Sequence, residues 1–343
     1  MDPLATFNPA TRAWFEASFP EPTGAQRDGW PAIARGDHSL IHAPTGSGKT
    51  LAAFLWTLDR LLHEPTPAAA DRCRVLYVSP LKALAYDVDR NLRAPLRGIR
   101  HAADRLGLDQ LPEITTALRT GDTPADERRR MQRRPPDILI TTPESLYLLT
   151  TSRAREMLRT VRWVIVDEVH AVAGTKRGAH LSLTLERLER LCPVPPQRIG
   201  LSATQRPLET IGGFLAGGVV DGTVRTPRPV TIVNVEGTKD LEIDIVVPVA
   251  DMTAPPRSDS DDGIESSRSI WPSIYPRILD VVRNNTSTIV FSNSRRLAER
   301  LSSELNGLAG EDITRAHHGS VAREQRVEIE EALKQGALPA VVA

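Results

Sequence analysis

Short, largely apolar runs separated by helical stretches set the rhythm of the first two hundred residues. The runs at 39–42, 75–79, 138–141, 163–166 and 199–201 are of strand length, and each is followed by a polar turn and a helical pattern. Runs that are apolar throughout, without alternation, read as parallel strands covered on both faces, so the order predicts an α/β fold of βαβ units. Leu181, Leu185 and Leu188 fall at i, i+4 and i+7 among charged residues, which predicts an amphipathic crossover helix. Asn8 followed by Pro9 reads as the N-cap and first turn of a short helix carrying Trp14 and Phe15.

After Thr223 the pattern changes. Pro227 and Pro229 mark a connection, 241–249 reads as a new strand, and 250–269 is an acidic, Ser- and Pro-rich stretch that reads as an exposed, mobile loop. Beyond it the spacing predicts a helix near 274–282, a strand at 288–291, a helix at 294–305 with Leu297, Leu301 and Leu305 on one face, and a helix over 323–335. The residues 340–343 read as the start of a further buried strand, expected to lie at an exposed sheet edge. The domain organisation is therefore 1–225, a connection with strand and loop at 226–269, and a second domain at 270–343.

Length and composition agree with this division. A chain of 343 residues with 40% hydrophobic and 25% charged residues fits two ordinary α/β domains. Cys73 and Cys192 are the only cysteines and lie far apart, which gives no disulfide framework and no zinc spacing, and predicts a reducing, cytoplasmic setting. No stretch has the form of a secretory leader or a membrane span. Charge sums to zero, yet 90–105 carries five Arg against one Asp, and 119–134 six Arg against three acids, while 251–268 carries five acids against two Arg. Alone, such runs are solvated helix faces; beside the motifs below they become flanking charge for a nucleic-acid track.

The chemistry is concentrated after the predicted strands. Ala43-Pro44-Thr45-Gly46-Ser47-Gly48-Lys49-Thr50 follows one strand and opens a helix, the context of a phosphate-binding loop. Glycines let the backbone turn its N–H groups onto phosphates, Lys49 reaches the β/γ-phosphates, and the Thr50 hydroxyl ligates Mg²⁺. The run from Trp163 to Val166 ends in Asp167-Glu168-Val169-His170, two carboxylates at the C-terminal edge of a parallel sheet. Asp167 is suited to hold Mg²⁺ and Glu168 to polarise an attacking water, with Lys49 completing the catalytic set. His170 has no second metal ligand at suitable spacing and reads as a hydrogen-bonding group toward the second domain.

In this order the motifs resemble those of superfamily 2 helicases over nearly the whole chain. The resemblance implies two RecA-like P-loop domains with parallel sheets, the second one truncated, and ATP and Mg²⁺ as cofactors. Pro22-Thr23-Gly24-Ala25-Gln26 resembles the adenine-reading segment, so Thr23 and Gln26 join Thr45, Gly46, Ser47, Gly48, Lys49 and Thr50 as ATP-binding residues. Ser79-Pro80-Leu81-Lys82, Thr120-Gly121-Asp122 and Thr142-Pro143-Glu144-Ser145 resemble segments that hold a nucleic-acid strand by its phosphates. Ser292-Asn293-Ser294-Arg295 and His317-His318-Gly319 resemble the strand-holding segments of the second domain. Ser202-Ala203-Thr204, with His170, resembles the motif that couples hydrolysis to domain movement.

The resemblance narrows to the Lhr (large helicase-related) family through the stretch from Asp167 to Gly178, through Pro143 to Leu149 and through Ser292 to Leu301. It implies a bacterial or archaeal cytoplasmic motor moving 3′ to 5′ along single-stranded DNA, unwinding duplexes and RNA–DNA hybrids, with a role in DNA repair. Nothing in the chain matches the family's later arginine-finger segment, so weak hydrolysis and no unwinding are expected of these residues alone. Two alternatives stand beside the DNA motor: an RNA or RNA–DNA hybrid helicase, and an ATP-gated nucleic-acid-binding fragment with little catalysis. Phosphate contacts do not separate DNA from RNA; the 2′-hydroxyl does.

Overall fold

The computed structural model describes residues 2–203, 206–235, 242–249 and 270–343. Contacts divide the chain into two compact units, Met1–Lys239 and Asp240–Ala343. In the first unit the elements run α1 (Pro9–Ser18), α2 (Gly24–Ala34), β1 (Ser39–His42), α3 (Lys49–His63), β2 (Val75–Val78), α4 (Lys82–Arg105), β3 (Thr116–Arg119), α5 (Ala125–Arg133), β4 (Ile138–Thr141), α6 (Pro143–Thr150), β5 (Trp163–Val166), α7 (Lys176–Leu191), β6 (Gln197–Ser202), α8 (Leu208–Ala216), β7 (Gly218–Asp221), β8 (Val224–Pro227) and β9 (Thr231–Asn234).

Seven strands form one parallel sheet in the order β3-β4-β2-β5-β6-β1-β9, and β7 and β8 form a separate antiparallel hairpin. Burial explains the continuous apolar runs. Along β2, Val75 and Tyr77 enter the core shared with α1–α4, whereas Leu76 and Val78 enter the opposite core with Leu146, Leu185, Leu188 and Leu215. A strand buried on both faces cannot afford polar alternation. The three leucines of the crossover helix are buried in α7.

Two expectations change here. The first unit extends beyond 225, because β9 pairs in register with β1, placing Thr231 opposite Ser39 and Asn234 opposite His42. The described residues 242–249 form no strand, and the acidic stretch 250–269 lies outside the described residues. At the N-terminus, Asn8 is the N-cap of α1 by position, but its side chain donates to buried Asp59 (3.0 Å) instead of capping.

In the second unit, α9 (Trp271–Asn284), β10 (Thr288–Val290), α10 (Arg295–Ala309), β11 (Thr314–Ala316), α11 (Arg323–Lys334) and β12 (Ala340–Val342) follow one another. The sheet order is β10-β12-β11, all parallel. This overturns the expected exposed edge at 340–343: β12 is the central strand. Its three apolar residues explain the position, since Ala340 and Val342 pack with Leu279, Leu301 and Leu305 on one face while Val341 packs with Ile329 and Leu338 on the other. The edge strand β10 instead carries the exposed Ile289.

Both cysteines are free and buried, and burial pushes the Cys73 thiol up to about 12 and the Cys192 thiol up to about 11. Among the described residues no helix is long and apolar enough to cross a membrane, and no group of three or more His, Cys, Asp or Glu could hold a metal ion.

At the start of β1, His38 Nδ1 accepts the backbone N–H of Arg198 (3.0 Å). Burial, then the charges of Arg198 and Arg228, hold its pKa down at about 4. Below pH 6.5 the unfolded chain takes up a proton that the folded chain refuses until about pH 4. Stability is therefore full above pH 6.5 and falls across that window, by about 1–2 kcal/mol once solvent screening is allowed for. Thermal melting of wild type and His38→Gln between pH 7 and 4 should show a smaller acid loss in the variant; parallel curves would refute the assignment.

Candidate nucleotide and nucleic-acid site

Six of the seven motif segments of the first unit, all but 22–26 at the start of α2, lie at the same edge of the sheet, the C-terminal ends of β1 to β6, where ligands bind in open parallel sheets. After β1, the chain turns through 43–48 into α3. Gly46 (φ +83°) and Gly48 (φ +78°) adopt the left-handed conformation open to glycine. At Gly48 a Cβ would also stand 2.7 Å from Gln26 Nε2, so a side chain there would have to displace the Gln26 carboxamide. Buried Lys49 donates to the carbonyls of Ala43 (2.6 Å) and Pro44 (2.9 Å). The Ser47 hydroxyl is buried and finds no partner in the protein.

Thr23 and Gln26 support this loop. They form a reciprocal capping box at the start of α2, in which the Thr23 N–H donates to Gln26 Oε1 at 3.0 Å. Thr23 Oγ1 donates to the Ser47 carbonyl at 2.7 Å. Gln26, expected at the adenine, thus has its carboxamide oxygen engaged by its own helix cap and its amide against Gly48.

At the end of β5, Asp167 is buried and its neighbours are specific. Tyr77 Oη donates to Asp167 Oδ2, and the Glu168 N–H donates to Asp167 Oδ1 at 2.9 Å. Burial pushes the Asp167 carboxyl above its usual range, opposed by the Tyr77 and Glu168 hydrogen bonds and by the Lys49 charge. Glu168 has φ +46°, the one positive φ on a non-glycine among the described residues, a strained conformation of the kind that clusters at functional sites. Thr45, Gly46, Gly48, Lys49, Thr50, Asp167 and Glu168 line one open cavity of about 650 Å³, to whose wall Trp14, Phe19 and α4 also contribute. That volume suits a small-molecule ligand.

The fit to nucleotide and metal is good on this chain's own atoms. Left-handed glycines, an orphaned buried hydroxyl and an ammonium suit phosphate oxygens. The Thr50 hydroxyl and Asp167 carboxylate are hard oxygen donors suited to Mg²⁺.

His170 Nδ1 lies 3.2 Å from Glu168 Oε2 and 3.3 Å from the Ala203 N–H. One ring nitrogen cannot accept from Ala203 and donate to Glu168 at once, so which of the two the imidazole serves depends on its tautomer. The group expected to reach toward the second domain therefore faces partners within its own unit. Ser202 Oγ is buried and without a partner in the protein, and Thr204 lies outside the described residues.

The expected strand-holding residues of the first unit come together at the ends of β2, β3 and β4. Lys82 and Gly121 are exposed; Ser79, Pro80, Thr120, Thr142, Pro143 and Ser145 are buried. Ser79 Oγ is committed to the Leu81 carbonyl (3.0 Å), and Thr142 and Ser145 hydroxyls bond each other (3.2 Å). Lys82 Nζ forks onto both oxygens of Asp122 at 2.9 and 2.8 Å. In the second unit, Arg295 Nη1 donates to Ser320 Oγ (2.8 Å), His318 Nε2 meets Glu299 (2.8 Å), and Ser292 Oγ bonds the Ser294 and Ala343 carbonyls (3.1 and 3.2 Å). Asn293 and Gly319 sit in the same loops, with Gly319 beside the Arg295 guanidinium.

Three contacts made by these residues carry no motif signal: Tyr77 on Asp167, Asp122 opposing Lys82, and Arg177 forking onto Glu144. Each joins residues 33 or more apart in sequence. Only the register of neighbouring strands, such as Tyr77 opposite Ile165, brings the first pair together.

The chain belongs to the DEAD/DEAH box helicase family, whose match covers residues 23–211. Within that class its similarity is to Lhr helicases. It is 50% identical, over its whole length, to the Lhr helicase/probable uracil glycosylase of Mycolicibacterium smegmatis, and 42% identical over 98% of its length to the ATP-dependent helicase Lhr-Core of Methanothermobacter thermautotrophicus. It spans 24% of the first relative and 38% of the second. Among solved structures, the Mycobacterium smegmatis helicase Lhr bound to ssDNA and AMP-PNP matches all of this chain with a TM-score of 0.83 and 53% identity, the chain covering 42% of that one. The RecA-like α/β fold expected from the motifs is thereby established.

Proposed function

We propose that the chain is the N-terminal motor portion of an Lhr-type ATP-dependent DNA helicase. It binds Mg²⁺–ATP through the 43–50 loop, Asp167 and Glu168, and grips single-stranded DNA by its phosphates, moving 3′ to 5′ in the bacterial or archaeal cytosol in the service of DNA repair. The observation that carries this reading is the single cavity in which Lys49, Thr50, Asp167 and Glu168 converge, with the Lys82 and Thr142 loops at the same sheet edge. Support for DNA comes from the ssDNA held by the similar Lhr structure.

In the proposed mechanism the backbone N–H groups of the 43–48 turn and Lys49 bind and orient the phosphates. Mg²⁺, held by Thr50 and Asp167, would neutralise charge on the transferring phosphoryl group. Tyr77 fixes the carboxylate of Asp167, and Glu168 takes the proton of the attacking water. His170 exchanges between Glu168 and the Ala203 N–H, which links that event to the 202–204 segment. The test is ATP hydrolysis with and without single-stranded DNA, followed by displacement from 3′- and 5′-tailed DNA, RNA and hybrid duplexes. Binding of both ligands without turnover would favour the ATP-gated binding fragment, and unwinding confined to RNA would favour the RNA helicase.

The Lys82–Asp122 pair gives a sharper expectation. Both side chains are more than half exposed (53% and 63%), so the pair contributes little to stability and exchanges readily for a phosphate. Asp122→Asn frees the lysine and removes a carboxylate from the track. Single-stranded DNA affinity at low salt should rise by up to about fivefold, and the slope of log K against log salt should steepen by up to about 0.7. An anisotropy titration showing unchanged affinity and slope would remove Lys82 from the track.

A further inference from the structure

We propose that Arg177 is the positioning residue that fastens the strand-binding loops of the first unit to the segment carrying Asp167, Glu168 and His170. The inference rests on the single-strand-binding reading above. Arg177 lies in the first turn of α7, and each of its three guanidinium nitrogens donates a hydrogen bond. Nε and Nη2 fork onto the two carboxylate oxygens of Glu144 in the first turn of α6, the second contact at 2.9 Å, while Nη1 donates to the Pro80 carbonyl at 2.6 Å. One side chain thus ties the loop after β2, which leads to Lys82, to the loop after β4, which carries Thr142 and Ser145. The Arg177 contact holds the Glu144 carboxyl below its usual range.

The other end of the link is equally fixed. From Glu168 the chain makes a tight turn, with Ala171 N–H on the Glu168 carbonyl (2.8 Å) and Ala173 N–H on the Val169 carbonyl (2.9 Å). Thr175 then caps α7 by accepting the Gly178 N–H at 3.1 Å. Gly178 packs so closely on Val172 that a Cβ would stand 2.0 Å from its carbonyl oxygen. Residues 167–178 therefore move as one block, and a shift of Glu168 or His170 reaches Pro80 and Glu144 through Arg177. Although this pair is itself partly exposed, a bidentate guanidinium–carboxylate fork with an added backbone bond holds its geometry better than the Lys82–Asp122 pair, in which a single rotatable ammonium meets the carboxylate. Because its charge is already spent on Glu144, Arg177 positions the loops and is not itself a phosphate ligand.

The experiment measures binding of a labelled oligo(dT) to the full 343-residue chain by anisotropy, with and without Mg²⁺–AMP-PNP, over a range of salt. Arg177→Ala is expected to leave AMP-PNP affinity in the absence of DNA unchanged. It should weaken oligo(dT) binding about tenfold, the effect of losing hydrogen bonds to a charged group, and shrink any change in DNA affinity that AMP-PNP causes. Its salt slope should stay that of wild type. Arg177→Lys keeps the charge but not the fork and should remain weak. Glu144→Gln should weaken binding in the same way, and the double variant should be no worse than either single one. If Arg177 instead contacted phosphate, Arg177→Ala would lower the slope by about 0.7 and Glu144→Gln would strengthen binding; either result, or unchanged affinity in both single variants, overturns the proposal. If Arg177→Ala fails to fold, Glu144→Gln decides alone. Failure of wild type to bind oligo(dT) would refute the function reading itself, and this inference with it.

Discussion

Lys49→Ala is expected to abolish measurable binding of Mg²⁺–ATP. In the protein its ammonium is buried and points into the 43–48 turn, held by the carbonyls of Ala43 and Pro44, so it stands where phosphate oxygens would enter. Each hydrogen bond from a charged donor contributes about 1.5–3 kcal/mol, and loss of two or more corresponds to at least about a hundredfold in affinity. A second effect acts in the same direction. Lys49 holds the Asp167 carboxyl down against the upward push of burial, and without it Asp167 takes a proton more readily and competes less well for Mg²⁺. Asp167→Asn separates the two effects: it should weaken only the Mg²⁺-dependent part of the affinity and leave metal-free binding near wild type. Titration calorimetry of both variants, with melting curves to confirm folding, checks this; unchanged affinity in Lys49→Ala would remove the nucleotide assignment.

The sequence could be read this far because the fold is built from buried parallel strands, whose signal is local. β1, β4 and β5 have the boundaries that their apolar runs predict. β3 and β9 escaped because their evidence is not local. Thr116–Arg119 is a half-buried edge strand with only Ala117 and Leu118 apolar, and Thr231–Asn234 follows Pro227 and Pro229, which read as a connection. What makes β9 a strand is the backbone of β1, 192 residues earlier. The opposite error at 242–249 has the same origin: Glu242 and Asp244 alternate with Ile243 and Ile245 in strand fashion, yet no ladder among the described residues receives them. In the site, the residues proposed to touch phosphate and metal are legible from their motif. The groups that hold them, Tyr77 and Arg177, are not, since their partners are fixed by strand register and helix packing.

Gly178→Ala should produce the largest loss of stability. Alanine is the better helix former by about 1 kcal/mol, which would favour the substitution in an open helix. Here a Cβ would meet the Val172 carbonyl oxygen at 2.0 Å and its carbon at 2.7 Å, and a backbone carbonyl cannot swing aside as a side-chain tip can. Either the first turn of α7 must lift off, breaking the Thr175 cap on the Gly178 N–H, or the 168–175 turn must unwind and lose the Thr175 N–H bond to Val172 (2.9 Å). Both routes also disturb the seating of Leu181, Leu185 and Leu188, so a net cost of about 3–5 kcal/mol is expected. Gly213→Ala in α8 supplies the contrast, because nothing lies within 4 Å of its would-be Cβ. There the helix propensity acts unopposed, and stability should rise by up to about 1 kcal/mol. Urea unfolding of the two variants beside wild type should therefore move the midpoint in opposite directions. Equal midpoints would mean that the block from Asp167 to Gly178 is not packed as tightly as its backbone contacts require, and the link from Glu168 to Arg177 would lose its rigid segment.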